Sequence, residues 1–224
     1  MDFGEVVHSM VLGGGREIEV IDADDWRTKA AREAREAAKL SGKIPMLARK
    51  YSDAKKLALS LSHVMPSGAD PTEVTAIWVS LGCPCRCRMD IFTGAGIDDL
   101  KITENAAMAA TPRHIISMGY HIQAASNLDA IENLVPEMAG RAKFRLIFAE
   151  NKAPFGVIRA ELSGELLELG RVQWRRAKRD WAECLVNDAF PLYSRETRII
   201  ECPAWAMTEE LASQLDGGSK NVPF

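Results

Sequence analysis

A chain of 224 residues, 47% hydrophobic and 26% charged, falls in the ordinary globular range and is long enough to bury a core of its own. Its formal net charge of -3 excludes a uniformly basic coat, so contact with a polyanion has to be local. No apolar run approaches the roughly 20 residues of a membrane-spanning helix. Five cysteines are an odd set for a disulfide framework, and Met1-Asp2-Phe3-Gly4-Glu5 lacks the basic and apolar regions of a secretory signal. The expected location is therefore intracellular and cytoplasmic, or the host cytoplasm and virion for a viral protein.

The first twenty residues read as a hairpin. Val6, Met10 and Leu12 form one strand, Gly13-Gly14-Gly15 the turn, and Ile18 and Val20 alternate with Glu17 and Glu19 on the return. A phosphate-cradling role for the three glycines is disfavoured, because no helix opens behind them and no Gly-Lys-Ser/Thr follows. Asp22, Asp24 and Asp25 precede a helix expected from Trp26 to Leu40, where carboxylates complement the free N–H groups and the dipole. Helix capping explains this trio more simply than a divalent-cation site. Pro45 separates that helix from a second, about Met46 to Val64, and Met65 to Pro71 reads as a linker.

Two strands are expected at Glu73–Leu81 and Cys83–Phe92, followed by a mixed segment containing Gly94 and Gly96. In the second strand Cys83, Cys85, Cys87, Met89 and Ile91 face one way, and Pro84, Arg86, Arg88 and Asp90 the other. Single-residue spacing suits a half-buried strand better than a zinc knuckle, so core packing is preferred to metal binding, and Pro84 marks an edge. From Ile102 to Met138 the pattern is helical, broken at Pro112 and Pro136, and carries His114, Tyr120 and His121. A second hairpin follows at residues 143–148 and 157–162, then a helix from about Ser163 to Asp188 and a short strand from Thr197 to Cys202.

These elements predict an α+β fold whose antiparallel or mixed sheet is built from hairpins, with helices packed mainly on one face. Residues 1–215 are expected to form one domain with a sub-boundary near 65–71, and residues 216–224 a flexible tail.

Arg171-Val172-Gln173-Trp174-Arg175-Arg176-Ala177-Lys178-Arg179-Asp180-Trp181 holds five cations and one acid in about three helical turns. Guanidinium groups match phosphate geometry and an exposed indole stacks on bases or sits among lipid headgroups. Arg171, Trp174, Arg175, Arg176, Lys178 and Arg179, with Arg86 and Arg88, are thus the candidate surface for RNA or an anionic membrane, beside self-association and a protein partner. No hydrolase elbow, zinc-helix, Walker or Rossmann pattern is present. The expected function is a non-enzymatic binding and assembly protein, a matrix-like or nucleoprotein-associated viral structural component, with no catalytic residue, metal or cofactor. The alternative is a small enzyme whose site gathers scattered residues such as His114, His121, Cys87 and the acids near Asp24.

Overall fold

The computed structural model describes residues 2–65, 70–192, 196–203 and 207–208. The chain divides into two units, residues 1–187 and 188–224. In the first, α1 (Asp2–Leu12) leads through the glycine turn into β1 (Ile18–Ile21), α2 (Lys29–Leu40), β2 (Ile44–Leu47) and α3 (Ala48–Leu61). Then come β3 (Thr72–Ser80), β4 (Cys83–Thr93), β5 (Gly96–Thr103), α4 (Thr111–Ser117) and α5 (Tyr120–Leu134). A 3₁₀ turn at Pro136–Met138, β6 (Lys143–Glu150), β7 (Val157–Glu161) and α6 (Gly164–Asn187) complete it.

The fold is α+β. β1 and β2 form a parallel pair, and β3-β4-β5-β6-β7 form a mixed sheet in which only β5 and β6 run parallel. Alternation along β6 shows how the layers are made. Phe144, Leu146 and Phe148 join Ile97, Ala124, Leu128 and Ile131 in the cluster under α5, with Leu166 and Trp174 of α6 packed against it. Ile147 and Ala149 point the other way, into a second cluster with Val6 and Val7 of α1 and Leu57 and Leu61 of α3. Helices therefore cover both faces where β5 and β6 lie, and the larger cluster is on the α5–α6 side.

Several elements differ from the sequence expectation for identifiable reasons. The expected first strand is α1: Phe3, Val6, Val7, Met10 and Val11 repeat at helical spacing and pack on α3, so a strict two-residue alternation does not describe them. Thr28, and no aspartate, caps α2, its Oγ1 accepting from the Ala31 N–H at 3.2 Å, while Asp25 takes the Arg27 N–H and guanidinium. Pro45 lies inside β2 opposite Glu19. The helical block after Ile102 breaks at Gly119, which takes φ 71°, so Pro112 sits harmlessly in the first turn of α4. His114 and His121 thereby fall on different helices.

Within the second unit, residues 197–203 carry no strand, contrary to the one expected at Thr197 to Cys202. Residues 66–69 of the expected linker, and the expected tail 216–224, lie outside the described residues.

Candidate active site

β4 and β5 stay paired only from Ile91–Thr93 against Gly96–Asp98. Gly96 opens β5 at φ 141°, and a Cβ there would collide with the backbone of Lys143, so the close start of the β5–β6 pairing requires glycine. Beyond Asp98 the strand leaves β4 and follows β6 through Thr103. The gap is bridged by a side chain: the Asp90 carboxylate of β4 accepts the Leu100 N–H of β5 at 2.9 Å.

This split forms the floor of a cleft of about 660 Å³, walled by α1, its glycine turn, β3 and the start of α5. Asp99 and Lys101 are alternate residues of β5 and face the same way. Their carboxylate and ammonium lie 2.5 Å apart. Gln123 of α5 donates its amide to the other Asp99 oxygen at 2.6 Å, and Lys101 lies 4.8 Å from the centre of the Tyr120 ring. Tyr120 and Gln123, three apart on the first turn of α5, thus hold this pair from one side.

From the other side come β3 and α1. Glu73 falls opposite Asp90, between the pairs Thr72–Ile91 and Val74–Met89, and takes φ 54°, a left-handed backbone for a residue with a Cβ. Two carboxylates facing each other across a strand pair repel, and such strain and repulsion persist where a function retains them. Arg88 offsets part of the charge at 2.9 Å from Glu73. His8 of α1 places Nδ1 3.7 Å from Asp90, and ligand atoms of His8, Glu73 and Asp90 lie within 4.8 Å of one another.

Burial dominates the electrostatics. It pushes the Asp99 carboxyl up to about 6, with Lys101 pulling it down and Asp90 pushing it further up. Burial likewise raises Asp90, against the Leu100 N–H and Lys101, and it lowers His8, with Lys101 lowering that imidazole further. A neutral His8 keeps a lone pair for a cation. Two to three carboxylates and one imidazole converging in this way fit a hard divalent ion such as Mg²⁺ or Mn²⁺.

The basic helix is partly tied into the fold. Lys178 is 3% exposed and donates to Asp129 of α5 at 2.8 Å and to Ser80 at 2.7 Å. Trp174 is half-buried and gives its Nε1–H to the same Asp129 oxygen at 3.0 Å, where Trp78 also donates at 3.1 Å. Arg171 pairs with Glu132 and Glu168, and Arg175 with Glu168. Arg176 and Arg179 are exposed to solvent. On β4, Arg88 reaches the acidic cleft and Arg86 is exposed beyond it.

The scattered residues weighed as an enzyme site are not the ones that meet here. His121 is buried, its ring nitrogens 3.4 Å from the Ile115 carbonyl and 2.7 Å from the Gln173 side-chain oxygen. His114 stacks edge-on against Tyr120 and Phe148. Burial raises the Cys87 thiol to about 11, as it does Cys85, which leaves little thiolate for chemistry. Asp22, Asp24 and Asp25 do not line the cleft. The residues that do line it are not singled out by the sequence pattern: His8 falls within the expected first hairpin, Asp90 in the outward row of the second expected strand, and Asp99 and Lys101 in the segment to which no strand is assigned. The available signal is Asp98-Asp99-Leu100-Lys101-Ile102, where Asp99 and Lys101 alternate with apolar residues shortly after a strand that carries Asp90.

No protein-family model matches the chain, and no curated protein is similar to it at a significant level. Among solved structures, one from Eubacterium rectale, provisionally described as an exonuclease, superposes with a TM-score of 0.57 at 13% identity, over 92% of this chain and 77% of that one. A phage-related exonuclease from Haemophilus somnus 129PT matches at a TM-score of 0.40 and 13% identity, over 82% of this chain and 95% of that one. The first likeness shows a shared fold. Together with the acid–lysine cleft it corrects the expectation of a non-enzymatic viral, structural or assembly protein, and the enzyme alternative is the better supported.

Proposed function

We propose that the chain is a metal-dependent nuclease, hydrolysing phosphodiester bonds of a nucleic-acid strand in the β4–β5 cleft. The observation that carries the reading is the convergence of Asp90, Asp99 and Lys101 in one cleft with Glu73 and His8. The fold shared with a protein provisionally described as an exonuclease supports it.

The residues divide the work by their chemistry. Asp90, Glu73 and His8 would hold a divalent ion, with Asp99 completing the acidic rim. When bound, such an ion polarises a phosphate oxygen and lowers the pKa of a coordinated water. The Lys101 ammonium, anchored by Asp99 and the Tyr120 ring, is placed to stabilise negative charge building on the phosphate and to orient the attacking water. Gln123 fixes Asp99 so that this ammonium keeps its direction. The buried positions of Asp90 and Asp99 strengthen every charge interaction at the reacting phosphate.

The test is degradation of end-labelled linear DNA and RNA and of a circular single strand by the full chain, with Mg²⁺ or Mn²⁺ and with chelator. Metal-dependent loss of label on linear strands, absent in folded Asp90→Asn and Asp99→Asn variants, is expected, and sparing of the circle marks an exonuclease. A folded wild-type protein that degrades no polynucleotide with either metal overturns the reading.

A further inference from the structure

The cleft opens onto a surface that the catalytic residues do not use. Pro84, Arg86, Arg88 and Asp90 are alternate residues of β4 and share a face. α1 covers the Asp90 end of that face through His8. Toward Pro84 the surface stays open: Arg86 is exposed, and so are the neighbours across the strand pair, Ile77 at 69% and Val79 at 67%. Their opposite sides, Ala76, Trp78, Cys83 and Cys85, are the core side of the same ribbon. Large apolar residues left outside on a strand pair that is well packed beneath mark a contact surface.

We infer that this outer face of β3–β4 is a track for the single strand leading to the cleft, holding its phosphates on Arg88 and Arg86 and its sugars and bases against Ile77 and Val79. The inference rests on the nuclease reading and deepens it by naming the substrate form, an extended single strand bound without base preference. Three observations carry it. First, the face is continuous with the cleft, since Arg88 lines both. Second, beyond the Arg88–Glu73 pair it carries the exposed cation Arg86, complementary to a polyanion, whereas the cleft itself is acidic. Third, the spacing fits: residues two apart in a strand are about 7 Å apart, close to the separation of neighbouring phosphates on an extended strand. With the scissile phosphate at Asp90, the next phosphate meets Arg88 and the one after meets Arg86. Contacts of this kind grip the backbone and read no base edge.

The test compares wild type with Arg86→Glu, and with Arg32→Glu on the exposed side of α2 as a control for net charge. Binding of a fluorescent single-stranded 20-mer is measured without added metal across a salt series. Turnover of the 20-mer is measured beside that of bis(p-nitrophenyl) phosphate, which is too short to reach Arg86. Arg86→Glu is expected to weaken 20-mer binding about tenfold, lower its salt dependence by about one phosphate contact, and cut the preference for the 20-mer over the small diester by a similar factor. Arg32→Glu should follow wild type in each. An Arg86→Glu protein with wild-type affinity and wild-type preference overturns the track, as does a wild type that binds no 20-mer. Binding that depends on Arg86 without turnover of either substrate upholds the track and sinks the nuclease reading instead.

Discussion

Asp129 is the residue whose removal the structure penalises most clearly. One carboxylate oxygen accepts from three donors on two elements: Trp78 Nε1 of β3 at 3.1 Å, and Trp174 Nε1 and Lys178 Nζ of α6 at 3.0 Å and 2.8 Å. Among the described residues Lys178, 3% exposed, has no other anion against it, only the Ser80 hydroxyl and the Trp174 ring 5.4 Å away. Asp129→Ala strands that ammonium, which by the usual cost of breaking a buried pair is about 3–5 kcal/mol. The Trp174 indole lines an open cleft of about 560 Å³ and so recovers part of its loss from water, whereas Trp78, 5% exposed, does not. A net cost of about 4 kcal/mol lowers the melting midpoint of a domain of this size by about 10 °C. Guanidinium unfolding followed by tryptophan fluorescence reads this directly. Adding Lys178→Met should restore part of the loss, because the stranded charge goes with it, and the cycle should show coupling of about 2 kcal/mol. Burial works against ionising Asp129, yet the hydrogen bonds from Lys178, Trp174 and Trp78 outweigh it and hold the carboxyl below its usual range. Its folded pKa being depressed, the contribution is fully present above the unfolded value, about 3.9, and is lost as pH falls through the folded one. The gap between wild type and Asp129→Ala should therefore be constant near neutrality and close only in strong acid. A single variant costing under about 1 kcal/mol, or a gap that closes as pH rises, would refute the reasoning.

Lys101→Ala should lower turnover of an end-labelled strand by about 10²–10³ while leaving thermal stabilisation by Mn²⁺ in place, because the ammonium holds no ion; turnover within a few-fold of wild type would remove Lys101 from the chemistry. Asp90→Asn should abolish that stabilisation, which amounts to about 2.7 kcal/mol at a hundredfold excess of ion over its Kd, and a calorimetric scan with and without metal decides it. Gly170→Ala should destabilise by about 1–3 kcal/mol, since the added Cβ would meet the His121 carbonyl where α6 crosses α5, and chemical denaturation that finds no change would mean the helices separate freely.

How far the sequence discloses this molecule depends on whether local periodicity and tertiary environment agree. They agree at β3–β4, where a short connection and largely one-sided burial leave plain alternation, at β6–β7, where a short connection joins two strand-like runs, and along α6, whose bounds and basic character are readable directly. They part at β5. That strand is buried on both faces, so Ile97, Asp98, Asp99 and Leu100 are all nearly inaccessible and no alternation survives. Acids inside such a strand read as solvent-facing loop, when each is held by partners that local periodicity does not reveal. Asp98 is clasped by Arg145 of the adjacent β6 and Arg159 of β7 beyond it, and Asp99 by Lys101 and Gln123. A charge count along α6 errs for the converse reason. Cations adjacent in sequence looked like one surface, but Lys178 turns inward to Asp129 and Arg171 and Arg175 turn to glutamates, leaving Arg176 and Arg179 outside. Composition reports how many charges a segment carries, and only the fold decides which of them are already matched. In this chain two acids keep an unfavourable setting despite their partners, Glu73 facing Asp90 on a left-handed backbone and Asp99 raised by burial, and these are the ones a divalent ion would neutralise. The destabilisation they impose on the metal-free fold is then the counterpart of the affinity they supply to the cleft.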